Sequence, residues 1–179
     1  ARNSIAMYEL CKREGRGLNC RFLAQVLNEM YLAMGFPSRF VTCQSKAYDT
    51  DTDCHVINMV WSRQLGKWIW MDASFAAYVT DENGLLLHPG EVRERLIKGL
   101  PLVLNEDANW NHKTKQTKEG YLENYMAKNL YMLDAHLESR FETEPADGSG
   151  SPRMYLVPEE FWPLSGHTTY DDRYFWQAP

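Results

Sequence analysis

Apolar residues recur along the chain with a period that switches between about 3.6 and 2, and the switches outline its elements. Over residues 4–14, Ile5, Met7 or Tyr8, and Cys11 fall at helical spacing, and Gly15 and Gly17 close the run. A cleaner helix follows, with Leu23, Val26, Leu27, Met30 and Met34 on one stripe, which predicts a helix from about Cys20 to Met34. Asn19 suits its N-cap, Gly35 its C-terminal stop, and Pro37 cannot continue it. The period then falls to two. Arg39–Cys43 reads as a strand and Ser45–Asp53 as an acidic loop. His55–Trp61 and Lys67–Asp72, joined by a turn containing Gly66, read as a β-hairpin. Asp81–Gly84 is a turn, and Pro89 opens a helix through about Lys98. Residues 105–118 are polar and irregular. Leu122, Met126, Leu130, Leu133 and Leu137 then predict a second long helix. Glu144–Pro152 reads as a linker, and the aromatic remainder to Pro179 as strands added to the sheet. There is no internal repeat and no low-complexity block.

Composition narrows the classes. A chain of 179 residues, 44% hydrophobic and 13% aromatic, can bury a core, and it reads as a single domain over 1–179. A net charge of -5 gives no electrostatic reason for a nucleic-acid partner. No apolar run approaches the roughly 20 residues that span a bilayer. The start at Ala1-Arg2-Asn3 reads as that of a fragment or mature form, and localisation stays open. Cys11, Cys20, Cys43 and Cys54 are too few for a disulfide scaffold and contain no C-x-x-C pair, so no zinc site is expected. One bridge is conceivable, between Cys43 and Cys54 across the polar loop they bracket.

The candidate chemistry starts at Cys20. At the first turn of a capped helix, unpaired N–H groups and the positive dipole end favour thiolate over thiol. The plain alternative is a buried structural thiol. His55 opens the first hairpin strand and Asp72 ends the second, so the two are expected as diagonal neighbours. A carboxylate on one ring nitrogen would fix the tautomer and leave the other nitrogen for the thiol. Taken singly, these would be a surface histidine and a turn-ending aspartate; together, behind a helix-capped cysteine, they read as a catalytic set of Cys20, His55 and Asp72.

The run Gly17-Leu-Asn-Cys20-Arg-Phe-Leu, closing at Gly35-Phe-Pro-Ser-Arg-Phe-Val41, resembles the core segment of the transglutaminase-like superfamily. His55-Val-Ile-Asn-Met-Val and Gly66-Lys-Trp-Ile-Trp-Met-Asp72-Ala-Ser are similar to its His strand and its Trp-containing strand ending in Asp. The likeness covers about residues 15–75, the expected catalytic core, and more loosely 81–99, leaving the C-terminal helix and strand-rich tail of about 119–179 outside it. It implies an α+β, papain-like fold, with a Cys-bearing helix packed on an antiparallel sheet carrying His and Asp. It also implies acyl chemistry through a thioester, as in bacterial transglutaminase-like domains. The sequence departs from the family's pattern at four places. Gly17-Leu18-Asn19-Cys20 is one residue longer than Gly-x-Cys, Arg21 stands where animal transglutaminases have Trp, Ile57 replaces an aromatic, and Ala73 replaces Pro. These argue against a close relative of the protein-crosslinking enzymes.

The expected activity is therefore a cysteine peptidase or amidase, with hydrolysis favoured over crosslinking, acting on a peptide or protein substrate with no cofactor and no metal. The rival is a catalytically silent papain-like binding module for protein or glycan. A deglycosylating amidase of this fold is a third reading, weakened by the absence of zinc-binding cysteine pairs. The Cys20 N–H is one expected oxyanion donor, while Asn19 would be occupied as a cap, so no second donor is apparent. Asp49-Thr-Asp-Thr-Asp53 imitates half of a calcium loop but has Cys54 and Val60 where Gly and Glu are needed, so it reads as a solvated acidic loop beside the site that would favour cationic substrates. Lys113–Lys118 reads as a solvated basic loop, and His88, His112, His136 and His167 as structural. Trp61, Trp68, Trp70 and Trp110 read as core residues first and groove residues second.

Overall fold

The computed structural model describes residues 1–161 and 167–179. The first helix, α1, runs Ser4–Glu14; its N-cap Asn3 accepts from the Ala6 N–H, and it stops on Gly15 at a φ of 61°, a left-handed conformation that costs glycine nothing. The second, α2, runs Cys20–Ala33, and the Asn19 side chain accepts from the Phe22 N–H. Both helices begin where the sequence places them. Their buried faces do not follow the apolar stripes, however. Of α1 only Met7 is buried. On α2 the buried residues are Ala24, Gln25, Asn28 and Glu29, whereas Met30 and Met34 are exposed. The polar ones are inside because each holds a neighbouring segment. Gln25 donates to the Arg2 carbonyl, Asn28 bonds the Ser139 hydroxyl, and Glu29 accepts from the N–H groups of Ser4 and Glu142. Buried polar groups persist only with such partners.

The sheet has the order β10-β9-β8-β1-β2-β3. Its centre is an antiparallel meander of β1 (Ser38–Gln44), β2 (Cys54–Ser62) and β3 (Lys67–Met71). β8 (Met132–His136) and β9 (Arg153–Leu156) extend it antiparallel beyond β1. β10 (His167–Thr169) pairs with β9 in parallel. The protein is thus α+β with a mixed sheet, and the expectation of a wholly antiparallel one fails at this edge. One face of the sheet carries Val41, Cys43, Ile57, Met59 and Trp70 into the main core with Val92, Tyr121, Leu122 and Phe175. The opposite face packs Phe40 and Val56 against Ala24 and Cys20 of α2.

Between sheet strands lie β4 (Val79–Thr80), α3 (Pro89–Lys98), β5 (Val103–Leu104) and a small hairpin of β6 (Asn109–Trp110) and β7 (Thr114–Lys115). The stretch 105–118 is therefore not wholly irregular. α3 matches its expected bounds and is capped by His88, whose Nδ1 accepts from Gly90 N–H at 3.0 Å. The second long helix is shorter than its periodicity suggests. A π-helix over Glu119–Met126 passes into a short helix α4, Ala127–Asn129, and Leu133 lies in β8. All residues of β8 are buried, Asp134 and His136 included, so it shows no polar–apolar alternation, and the spacing of Leu130, Leu133 and Leu137 imitates the continuation of a helical stripe. A final helix, α5 (Asp172–Phe175), buries Phe175. Residues 162–166 of the aromatic remainder lie outside the described residues.

The Cys43–Cys54 bridge is not formed, and the register explains why. Cys43 stands opposite His55, and Cys54 opposite Gln44, so the two thiols are offset by one residue and point to opposite faces. All four cysteines are free. The segment Glu144–Pro152 also does more than link. The Glu144 carboxylate accepts from Arg21, His136 and Arg153, and these partners together hold it well down, at about 2, although burial opposes them.

Candidate active site

The Asn19 cap fixes the start of α2, which leaves Cys20 as its first residue, half-buried against Ala24, Phe40 and Val56. On the sheet, Met59 faces Trp70 and Asn58 faces Met71. Extending this register one step sets Ile57 against Asp72, so His55 is its diagonal neighbour, as the alternation in the hairpin predicts. Asp72 lies just past β3 rather than within it, in a bridge with Ala77. There its Oδ1 accepts from the N–H groups of Ser74 and Phe75, at 2.8 and 3.1 Å. That turn holds the carboxylate rigidly and aims Oδ2 at the histidine.

His55 Nε2 and Asp72 Oδ2 are 2.6 Å apart, with both side chains almost wholly buried. Because Nε2 is held there, Nδ1 is the nitrogen left for the Cys20 thiol, with which the imidazole also bonds. Burial alone would lower the imidazole pKa, but the charge and hydrogen bond of Asp72, with Cys20 in support, raise it to about 9. The converse acts on sulfur. Burial opposes the thiolate, yet the hydrogen bond and charge of His55 and the N–H groups of Val56 and Arg21 outweigh it, so the Cys20 pKa is lowered. The neighbouring thiols behave differently. Burial raises Cys54, and it raises Cys43 well above the ordinary range with the Asp72 charge adding to it. Of these three thiols, Cys20 is the one whose surroundings favour the thiolate.

How a helix on one face of the sheet reaches a histidine on the other follows from the strand lengths. β3 covers β2 only from Asn58 onward, so the edge at Val56 is uncovered, and the Val56 N–H helps to lower the Cys20 pKa. Cys20 and His55 line one cleft at that edge.

Several residues at the site carry no sequence signal of their own. The Tyr121 hydroxyl, on the π-helix, donates to Asp72 Oδ2 at 2.6 Å and accepts from Trp70 Nε1 at 3.2 Å. Burial and the Asp72 charge push the Tyr121 phenol well up, so it stays a donor. Phe75 and Tyr125 stand edge-on to the His55 ring at 5.3 and 5.5 Å. The cleft above Cys20 holds about 420 Å³ and is lined by Asn19, His55, Ser74, Phe75, Trp110 and Tyr125 among others. Of the four tryptophans expected first as core residues, Trp68 and Trp70 are buried and Trp61 is partly so, while Trp110 is exposed on this cleft. A signal for Tyr121 would have needed the π-helical widening, which no periodicity marks.

The acidic loop borders the cleft only through Asp53, and Lys128 pairs with both Asp51 and Asp53, which blunts its pull on cationic substrates. Among the described residues no three His, Cys, Asp or Glu side chains are grouped as a metal site would require. A larger groove of about 600 Å³, lined by Leu96, Ile97, Leu130 and Leu156, lies elsewhere and contains none of Cys20, His55 and Asp72. No described helix is long and apolar enough to cross a membrane.

Residues 3–73 match the transglutaminase-like superfamily. The match covers Cys20, His55 and Asp72 in the order in which the resemblance placed them, and it ends one residue past Asp72. Transglutaminase-like proteins commonly are enzymes with Cys, His and Asp at their centre, and this chain has all three. Neither the curated proteins nor the solved structures searched gave a match.

Proposed function

We propose that this chain is a cysteine-dependent acyl-transfer enzyme that hydrolyses peptide or related amide bonds through a thioester. In this reading Cys20 is the nucleophile, His55 the proton carrier and Asp72 the group that orients it. The observation that carries the reading is the 2.6 Å contact of His55 with Asp72 on one side, while the other side of the ring lowers the Cys20 thiol pKa. The Cys20 thiolate attacks the amide carbon, forming the C–S bond as the carbonyl electron pair moves to oxygen. The tetrahedral adduct then expels the amine, which takes the proton from His55. Water, deprotonated by the same imidazole, cleaves the thioester to a carboxylate and restores the thiol. A binding module would have no use for a buried carboxylate set against an imidazole that in turn activates a half-exposed thiol.

Digestion of a peptide library in ¹⁸O-labelled water tests this. Each new carboxyl terminus is expected to carry one labelled oxygen, and Cys20→Ala to lower cleavage by at least about 10²-fold. With an added primary amine, label-free amide products would mark transfer beside hydrolysis. Cleavage that survives Cys20→Ala overturns the scheme.

A further inference from the structure

The proposed reaction needs two donors for the carbonyl oxygen as it becomes negative. The N-terminal amides of α2 can be accounted for one by one. Leu23 N–H reaches the Asn19 carbonyl at 2.9 Å, Phe22 N–H reaches Asn19 Oδ1 at 3.0 Å, and Arg21 N–H is directed to the Cys20 sulfur. Cys20 N–H has no partner among the described residues and lies at the cleft with the thiol. Capping fixes the orientation of the Asn19 amide, since an N–H can be met only by its oxygen. The expectation that capping occupies Asn19 is therefore half right. Oδ1 is taken, while Nδ2 keeps both hydrogens without a partner among the described residues, on a side chain that lines the same cleft as Cys20 and His55. Ser74, only 5% exposed, also lines this cleft, and its Oγ is buried with no partner among the described residues, a separate polar atom left unmet at the same place.

We infer that Asn19 Nδ2 is the second oxyanion donor, acting with the Cys20 N–H on the carbonyl oxygen of the acyl substrate. This rests on the reading of Cys20 as nucleophile. One residue would then serve two purposes through its two amide atoms, the oxygen setting the helix start and the nitrogen receiving the developing charge. The one-residue extension in Gly17-Leu18-Asn19-Cys20 puts an amide side chain directly before the nucleophile.

The two purposes can be separated by substitution. Asn19→Ser and Asn19→Asp keep an oxygen cap but lack the N–H. Each is to be compared with the parent in acylation by p-nitrophenyl acetate, followed as acetyl thioester on the Cys20 peptide, and in alkylation by iodoacetamide, which displaces iodide at a saturated carbon and develops no oxyanion. Acylation is expected to fall about 10²–10³-fold in both variants, with alkylation within about twofold of the parent in the uncharged Asn19→Ser and its melting temperature unchanged. Acylation at parental rate in a folded Asn19→Ser overturns the inference and leaves the Cys20 reading standing. A parent protein in which Cys20 is neither quickly alkylated nor acylated overturns that reading, and this inference falls with it.

Discussion

Asp72→Asn is expected to lower turnover about 10⁴-fold, as when the carboxylate of a Ser-His-Asp triad becomes an amide. The oxygen facing the Ser74 and Phe75 N–H groups must stay an acceptor, so the new NH₂ replaces Oδ2. There it confronts His55 Nε2 and the Tyr121 hydroxyl, both of which donate to that position in the parent. The imidazole can meet the amide only by presenting a bare Nε2, which moves its proton to Nδ1, the side of the thiol. A ring in that tautomer cannot take the thiol's proton. The check is turnover of any substrate found by the peptide-library experiment, together with the imidazole tautomer by ¹⁵N NMR. A loss below about tenfold with the parental tautomer would show that Asp72 does not orient the base.

Trp70→Ala is expected to be among the costliest single changes to stability, about 3–5 kcal/mol. The indole is wholly buried within β3. Its N–H meets Tyr121 and its ring stands edge-on to the same residue, 6.4 Å between centroids. Truncation leaves a cavity and strands the phenol that supports Asp72. Chemical denaturation gives the loss directly, and a domain of this size should melt roughly 2–4 °C lower per kcal/mol. Trp70→Phe, which keeps an aromatic ring and omits the N–H, should lose less. A Trp70→Ala protein within about 1 kcal/mol of the parent would mean that this core collapses around the gap, and that the Trp70–Tyr121–Asp72 chain is not needed to hold the site.

What could be read from the sequence follows from how local each determinant is. The Asn19 cap, the Gly35 and Pro37 stop and the alternation from His55 to Asp72 act over a few residues, so the start of α2 and the diagonal pairing were legible. The buried face of α2 was not. Gln25, Asn28 and Glu29 are inside because segments distant in sequence supply partners at Arg2, Ser4, Ser139 and Glu142. A stripe rule counts apolar residues and cannot see those partners. β8 imitates a helix for a related reason: Leu130, Leu133 and Leu137 fall at helical spacing, while Asp134 and His136 are held inside by Arg153, Ser151 and Glu144. In the candidate site, Cys20, His55 and Asp72 stand out through motif and spacing, and Trp110 appears only as a second-choice groove residue. Tyr121, Phe75 and Tyr125 carry no such signal, because they arrive from the turn after β3 and the π-helix through tertiary packing alone.

The most direct test of the central claim is the alkylation rate of each cysteine as a function of pH, by mass spectrometry, in the parent and in His55→Ala. The lowered Cys20 pKa and the His55 pKa of about 9 predict a profile in two steps. Cys20 becomes reactive below the ordinary thiol value of about 8.5 as the thiolate–imidazolium pair forms, and its rate rises again near pH 9 as the imidazolium loses its proton. Cys54 and Cys43, whose pKa values burial raises, should stay slow throughout. His55→Ala should merge the two steps into one at or above the ordinary thiol value. If Cys20 instead titrates as an ordinary thiol in both proteins, the thiol and imidazole are not coupled, and the account of Cys20, His55 and Asp72 as a working set is wrong.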